Sequence, residues 1–347
     1  MKRLKVLTNR GHCGHQYELW KLPVDIFIIE GVGDRNSAWN YEMRPIPENA
    51  QYIDAKNIRL EEFDLAIAHF DENATSPRHP VLDDSWGTTF KWIIDQYSRK
   101  IPTIAVCHGA PQFKEQGQIE IKTENVTIIP ERKQQLVDYV SHIPVVCNSY
   151  DAEKLWGFKK SKTIWHGFDP EEFILGNRTK GILAMKKIPL ISRPHCRGYF
   201  THNKIMRYIP KKLLPAFTNV EKPYYLKADK QLYAKEKFRR YVKSIGEYLI
   251  YLNTTIHSPM PRARGEAMMC GLVTVNYTSH DVDQLIDNGV DGFYSTDPKE
   301  LAEILISLTK NPKIAKSIGD KGRKKAIQLL HVDRYLEQWT KIIKETI

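Results

Sequence analysis

Short apolar runs punctuate the first half of the chain at Leu4 to Thr8, Val24 to Glu30, Leu65 to His69, Thr103 to Cys107, Pro144 to Cys147 and Thr163 to Trp165. Between several of them lie segments of helical length, notably Thr88 to Arg99 and Pro130 to Ser141. Short strands alternating with helical or mixed connections predict a mostly parallel αβ domain rather than a sandwich. A second series follows the turn-prone stretch from Gly167 to Gly181. Its apolar segments are Ile182 to Met185, Ile188 to Ile191, Tyr224 to Leu226, Leu249 to Leu252 and Leu272 to Val275. They alternate with helical patterns at Lys230 to Ser244 and Glu266 to Met269, and apolar residues three and four apart predict helices at Leu301 to Thr309, Pro312 to Gly319 and Val332 to Thr346. The linker is expected near residues 170 to 180. Two such domains would enclose a cleft, with ligands beyond the carboxyl ends of the strands.

Length agrees with that division, since 347 residues at roughly 150 per domain suggest two domains. With 41% hydrophobic and 27% charged residues the composition excludes wholesale disorder. No stretch of transmembrane length is apolar, and Lys2, Arg3 and Lys5 lead into polar residues rather than a secretion signal. Cys13, Cys107, Cys147, Cys196 and Cys270 are odd in number and contain no CxxC pair, which points away from a disulfide framework or a cysteine zinc site. A cytoplasmic protein is expected. Lysine and arginine exceed acids by 52 to 41, giving +11, a balance that suits nucleic acid, an anionic membrane, phosphorylated substrates or simply a solvated face.

Four segments could carry chemistry. After Leu4 to Thr8 comes Asn9-Arg10-Gly11-His12-Cys13-Gly14, where Gly11 and Gly14 would let backbone approach a phosphate or sugar, or would serve an ordinary turn. The spacing is neither that of a dinucleotide fingerprint nor that of a P-loop. His12, Cys13 and His15 are adjacent, but adjacency alone does not make a metal site. The strand Ile104 to Cys107 delivers His108 into a glycine-containing loop, where it could orient a sugar hydroxyl, donate to a phosphate, carry a proton or pack in the core.

Arg193 and Arg197, four residues apart beside the expected interdomain opening, could fork onto phosphoryl oxygens or lie on the surface. The segment from His257 to Gly271 places Glu266 near the start of a short helix, where a carboxylate can accept from a ribose diol and helix-end amides can face phosphates.

Residues 252 to 293 resemble the donor-nucleotide segment of retaining glycosyltransferases with two Rossmann-like domains (GT-B architecture, family 4-like), the group of sucrose synthases and bacterial mannosyltransferases. Glu266-Ala-Met-x-x-Gly271, then Leu285-Ile286-x-x-Gly289-x-x-Gly292-Phe293, carry the resemblance. It implies a GT-B fold with two Rossmann-like domains facing a central cleft: residues 1–175 on the acceptor side, 176–329 holding the nucleotide sugar, and a terminal helix at 330–347 returning to the first domain. It implies ribose binding by Glu266, diphosphate binding by Arg193 and Arg197, a place for His108 by the donor sugar, and Gly11 and Gly14 as the early glycine loop. Thr163 to Phe173 resembles the domain-connecting signature, with His166 in its Asn position.

Ser258 stands where the family has its first motif Glu, and Pro261, Arg262 and Arg264 replace the usual intervening residues, so Arg262 and Arg264 could face phosphate or acceptor. Asp281-Val282-Asp283 reads as acidic helix-start or loop residues rather than a metal-binding triplet, and Asp83-Asp84 as a helix cap.

The resulting expectation is transfer of a sugar from a nucleotide diphosphate sugar to a hydroxyl, with retention and with neither metal nor cofactor. The acceptor is open: an anionic glycan, a lipid or a nucleic acid, with peripheral membrane contact in view and the segment from Phe70 to Trp86 a contributor to its site. An epimerase, or a nonenzymatic nucleotide-sugar or nucleic-acid binder, are the alternatives.

Overall fold

The computed structural model describes residues 3–33, 38–74, 87–112 and 128–347. Seven strands form the first sheet: β1 (Lys5–Thr8), β2 (Asp25–Glu30), β3 (Ala50–Asp54), β4 (Leu65–Phe70), β5 (Thr103–Cys107), β6 (Val145–Cys147) and β7 (Ser161–Thr163). Their order is β3-β2-β1-β4-β5-β6-β7 and every pairing is parallel. The second sheet contains β8 (Lys180–Ala184), β9 (Ala216–Phe217), β10 (Tyr248–Asn253), β11 (Val273–Tyr277) and β12 (Phe293–Ser295), ordered β12-β11-β10-β8-β9 and again all parallel. Parallel strands need covered faces, which is why β4 and β5, apolar apart from His69 and Thr103, are buried at every position.

The helices are α1 (Cys13–Leu19), α2 (Gly87–Tyr97), α3 (Pro130–Tyr139), α4 (Tyr150–Trp156), α5 (Lys187–Ser192), α6 (Pro194–Arg197), α7 (Tyr199–Met206), α8 (Lys230–Gly246), α9 (Arg262–Met269), α10 (Val282–Leu285), α11 (Pro298–Lys310), α12 (Pro312–Leu330) and α13 (Val332–Thr346). Local chemistry explains several borders. Ser149 caps α4, its side chain accepting from Ala152 N, and Gly157 closes that helix in the left-handed region. Asp229 and Asp297 cap α8 and α11 in the same way, and Pro298 occupies the first turn of α11.

Two expected segments differ from the structure, and one strand is added. Ile188 to Ile191 lies in helix α5, with Leu190 buried and Ile188 exposed, so its apolar residues do not form a strand. Tyr224 to Leu226 is an exposed 3-10 turn, because Pro223 sets the start of a tight turn there. The stretch at Phe293 adds the edge strand β12.

The chain crosses between the two sheets twice, and the crossings are pinned together: Phe168 N donates to Leu330 O at 2.8 Å and Val332 N donates to Phe168 O at 2.9 Å. Beyond the second crossing, α13 buries Tyr335, Trp339, Ile342 and Ile343 in one cluster with Val6, Cys13, Leu19 and Ile104 under the first sheet. Gly167 permits this approach, since a Cβ there would lie 2.7 Å from the Tyr335 Cβ. No helix among the described residues is long and apolar enough to cross a membrane.

Candidate active site

Because each sheet is parallel, the carboxyl ends of its strands gather their loops on one side. In the first sheet β1 leads into Asn9 to Gly14 and β5 into His108, and His69 is the last residue but one of β4. In the second, β8, β10 and β11 end at Met185, Thr254 and Thr278. A cavity of about 260 Å³ opens between them. His12, Gly14, Glu42, Met43 and Arg44 line it from the first domain. Lys186, Arg197, Lys237, Tyr241 and Tyr251 line it from the second, together with Arg262 and Ala263 at the start of α9 and Glu266, which lies in the middle of that helix rather than near its start as expected. The start of α9 thus presents positive helix-end potential to the cavity.

Glu266 reaches the cavity from the middle of α9. Its Oε2 accepts from the Tyr241 hydroxyl at 2.6 Å, and Oε1 is 3.4 Å from Arg262 Nε. Tyr241 is half-buried, and its removal from water, followed by the neighbouring Glu266 carboxylate, raises its hydroxyl pKa well above the ordinary value. The carboxylate is oriented and keeps lone pairs free for a diol. Arg262 is held between this acid and Glu18 of α1, 3.6 Å from its Nη2, and stacks over Phe168 at 4.6 Å from the ring centroid. Gly14 makes room for it: a Cβ there would lie 3.2 Å from Arg262 Nε. A Gly11 Cβ would lie 2.7 Å from the His69 Cβ. Both glycines therefore serve close packing within the cleft.

The other expected residues are spread around this cavity. Arg197 lines it, its Nε buried without a hydrogen-bond partner, while Arg193 is exposed outside it. Arg264 is 1% exposed behind the cavity wall, with Nη1 and Nη2 unpartnered. Burial pushes its pKa down to about 10 in spite of nearby Asp281. Asp281 is committed elsewhere, accepting from Tyr150 N at 2.8 Å, Asp151 N at 3.0 Å and Trp165 Nε1 at 2.7 Å. It therefore caps α4 of the facing domain across the interface, and Asp283 lies exposed in the first turn of α10. Ser258 is half-buried and does not line the cavity. Asp83, Asp84 and most of the segment from Phe70 to Trp86 lie outside the described residues.

His108 belongs to a group that sequence adjacency does not disclose. His15, His69, His108 and His166 meet behind His12, which lines the cavity, with the His15 ring centroid 4.9 Å from that of His108 and 4.8 Å from that of His166. His69 Nδ1 and His108 Nε2 are 2.9 Å apart, and the Asn148 amide lies 3.3 Å from His108 Nδ1. Burial lowers the pKa of His108 to about 3 and those of His12, His15, His69 and His166 well below their ordinary value. At neutral pH these rings are uncharged, so His108 can offer a hydrogen bond but not a resident positive charge. One nitrogen each from His15, His69 and His108 lies within 4.8 Å of the other two, the one group among the described residues with the makings of a metal site.

Sequence reasoning missed Glu18, Arg44, His69, Lys186, Lys237, Tyr241 and Tyr251. None sits in a motif. His69 alone carries a signal, as a polar residue near the end of an otherwise apolar strand.

Residues 227–341 match the model of a family described as glycosyl transferase-like, a match that spans less than half of the chain. No curated protein matches the sequence. Among solved structures, HepE (Alr3699) of Anabaena, in complex with UDP and glucose, aligns with TM-score 0.65 at 12% identity over 99% of this chain and 100% of its own. Sucrose-phosphate synthase of Thermosynechococcus elongatus aligns with TM-score 0.65 at 11% identity, covering 99% of both chains. A glycosyltransferase of Rickettsia africae aligns with TM-score 0.62 at 14% identity, covering 100% of this chain and 99% of its own. These likenesses define the fold: two Rossmann-like α/β domains facing a central cleft, the GT-B architecture.

Proposed function

We propose that the chain is a glycosyltransferase that takes a sugar from a nucleotide diphosphate sugar and joins it to a hydroxyl acceptor with retention of configuration. The observation that carries the reading is Glu266, fixed by Tyr241 at the wall of the interdomain cavity with the start of α9 beside it. In this reading Glu266 accepts from the ribose diol. Arg197, joined by Arg193 at the opening, and the first amides of α9 meet the charge that develops on the departing diphosphate. Arg262 and Arg264 add positive potential to that side. Gly11 and Gly14 keep the first-domain loop close to the donor, and His108 is assigned a neutral hydrogen-bonding role toward the sugar. HepE, with UDP-glucose bound in one of its structures, supports placing the donor in this cleft.

The division into residues 1–175, residues 176–329 and a returning helix at 330–347 belongs to the same proposal. So does the acceptor, a hydroxyl on an anionic glycan, lipid or nucleic acid that suits the +11 charge, with contact to a membrane surface included. The test is to incubate the protein with UDP-, GDP- and ADP-sugars and each acceptor class, and to follow free nucleotide diphosphate and new glycoside by mass spectrometry. Acceptor-dependent release of nucleotide diphosphate with a new glycoside supports the proposal. Sugar interconversion without acceptor, or donor binding without turnover across the panel, overturns it.

A further inference from the structure

We infer that His15, His69 and His108 form a site for a divalent first-row transition-metal ion of the zinc class. The three residues come from separate elements, α1, the end of β4 and the loop after β5, and the topology brings their side chains together at the first-domain wall of the cleft. Two observations point to a ligand. First, each ring offers one nitrogen within 4.8 Å of the others, and the closest contact, His69 Nδ1 to His108 Nε2, is 2.9 Å. Zinc–nitrogen bonds of about 2.0 to 2.1 Å place neighbouring ligand nitrogens about 3.3 Å apart on one tetrahedral ion, so small ring rotations close the set. Second, His15 Nδ1, the ring nitrogen opposite the one at the Tyr335 hydroxyl, is buried without a hydrogen-bond partner, a cost that folded proteins rarely leave unexplained.

Chemistry narrows the ion. The set is all imidazole and contains no carboxylate, which suits zinc, copper, nickel or iron rather than magnesium or calcium. Burial already keeps the rings neutral, the form that ligates. Outer partners are in place. The Tyr335 hydroxyl lies 3.0 Å from His15 Nε2, and the Asn148 amide faces His108 Nδ1 at 3.3 Å, so an ion on His108 Nε2 takes the place of that ring's proposed hydrogen bond to the donor sugar. Binding moves the proton on the His69–His108 contact to the far nitrogen of whichever ring holds it. That is either His69 Nε2 or His108 Nδ1, where the Asn148 oxygen, itself buried and unpartnered, turns to accept it.

The test is independent of glycosyl transfer. Co²⁺ is titrated into the untagged full chain and followed by its visible ligand-field bands, and Zn²⁺ is then added as competitor. The expected result is one strong site per chain, displaced by Zn²⁺, with affinity reduced at least about tenfold in His15→Ala and in His69→Ala. His142→Ala, outside the cluster, should leave it unchanged. Should either cluster variant fail to fold, ¹⁵N-histidine spectra of the wild-type chain decide: Zn²⁺ should move the ring signals of His15, His69 and His108. No ligand-field bands at stoichiometric Co²⁺, binding untouched by both variants, or Zn²⁺ shifts confined to other histidines would overturn the proposal.

Discussion

Arg44 Nη2 lies 2.9 Å from Glu18 Oε1, and both side chains are buried, at 3% and 1% exposure. The same guanidinium reaches Glu172 of the linker at 2.8 Å and lies over Phe238 of α8 at 3.3 Å from the ring centroid. One residue thus ties α1, the first crossing and the second domain beside the cavity. Removing it strands a buried carboxylate, although Lys21 remains 3.0 Å from Glu18. Arg44→Ala is expected to lower stability by about 3 kcal/mol, the low end for one partner of a buried ion pair. Urea unfolding of the variant and of Glu18→Gln/Arg44→Met, which should recover part of the loss, checks this.

Glu266 separates binding from folding. Glu266→Gln keeps the shape and can still accept from Tyr241, but it loses the charge that strengthens hydrogen bonds from a ribose diol. Nucleotide diphosphate should bind about 10- to 100-fold more weakly, the worth of one or two charge-assisted hydrogen bonds. Calorimetric titration measures this. Unchanged affinity would remove Glu266 from the proposed donor site.

How much of the molecule is legible in its sequence depends on burial. The central strands of a parallel sheet are covered on both faces, so Thr103 to Cys107, apolar from Ile104 on, matches β5 residue for residue. The edge strand β3 carries Gln51, Tyr52 and Asp54, is nowhere fully buried, and offers no such run. The short, apolar α5 reads like a strand because four apolar or proline residues in a row have no period of their own. Glu266 stands out because its neighbours in sequence are also its neighbours in space. The histidine cluster does not, because His15, His69 and His108 become neighbours only through strand order.

Gly198 holds Arg197 in place. Its φ of +67° is left-handed, and a Cβ there would lie 1.8 Å from the Thr254 carbonyl oxygen. The Thr254 hydroxyl in turn donates to Arg197 O at 3.0 Å. Gly198→Ala must therefore shift the backbone that carries the arginine. A stability loss of about 2 kcal/mol or more is expected, the left-handed penalty added to the clash. Thermal melts read the first effect, and nucleotide diphosphate affinity, which should fall with the arginine's displacement, reads the second.

Glu72 makes the fold sensitive to pH. Burial first, and then the neighbouring Asp71, raise its pKa from 4.5 to about 7. A carboxyl group with a raised folded-state pKa contributes stability that is complete below its unfolded pKa. That contribution fades as pH rises through the folded value. Wild-type stability should fall by up to about 3 kcal/mol between pH 4.5 and 7, since each pH step of one across that window costs about 1.4 kcal/mol. Glu72→Gln should flatten that slope in urea melts recorded across this range, and an equally steep variant would exclude Glu72 as its source.

Glu42 fastens the first domain to α8 at the cavity rim. Its Oε1 accepts from the Tyr233 hydroxyl at 2.6 Å, and its Oε2 lies 2.9 Å from Lys237 Nζ and 3.0 Å from Lys222 Nζ. Burial opposes ionisation, but these three donors outweigh it and hold the carboxyl at about 2. A depressed folded-state pKa means the fastening is complete above the ordinary carboxylate range and is lost only as pH falls toward about 2. Cleft closure should therefore be constant from about pH 5 to 8. The side chain is about half exposed, so little of this converts into global stability. Glu42→Ala should instead leave the melting temperature nearly unchanged while widening the angle between the domains. Small-angle scattering should report a larger radius of gyration for the variant than for the wild type, and nucleotide diphosphate should dissociate faster from it. Identical scattering curves would show that Glu42 does not hold the cleft closed.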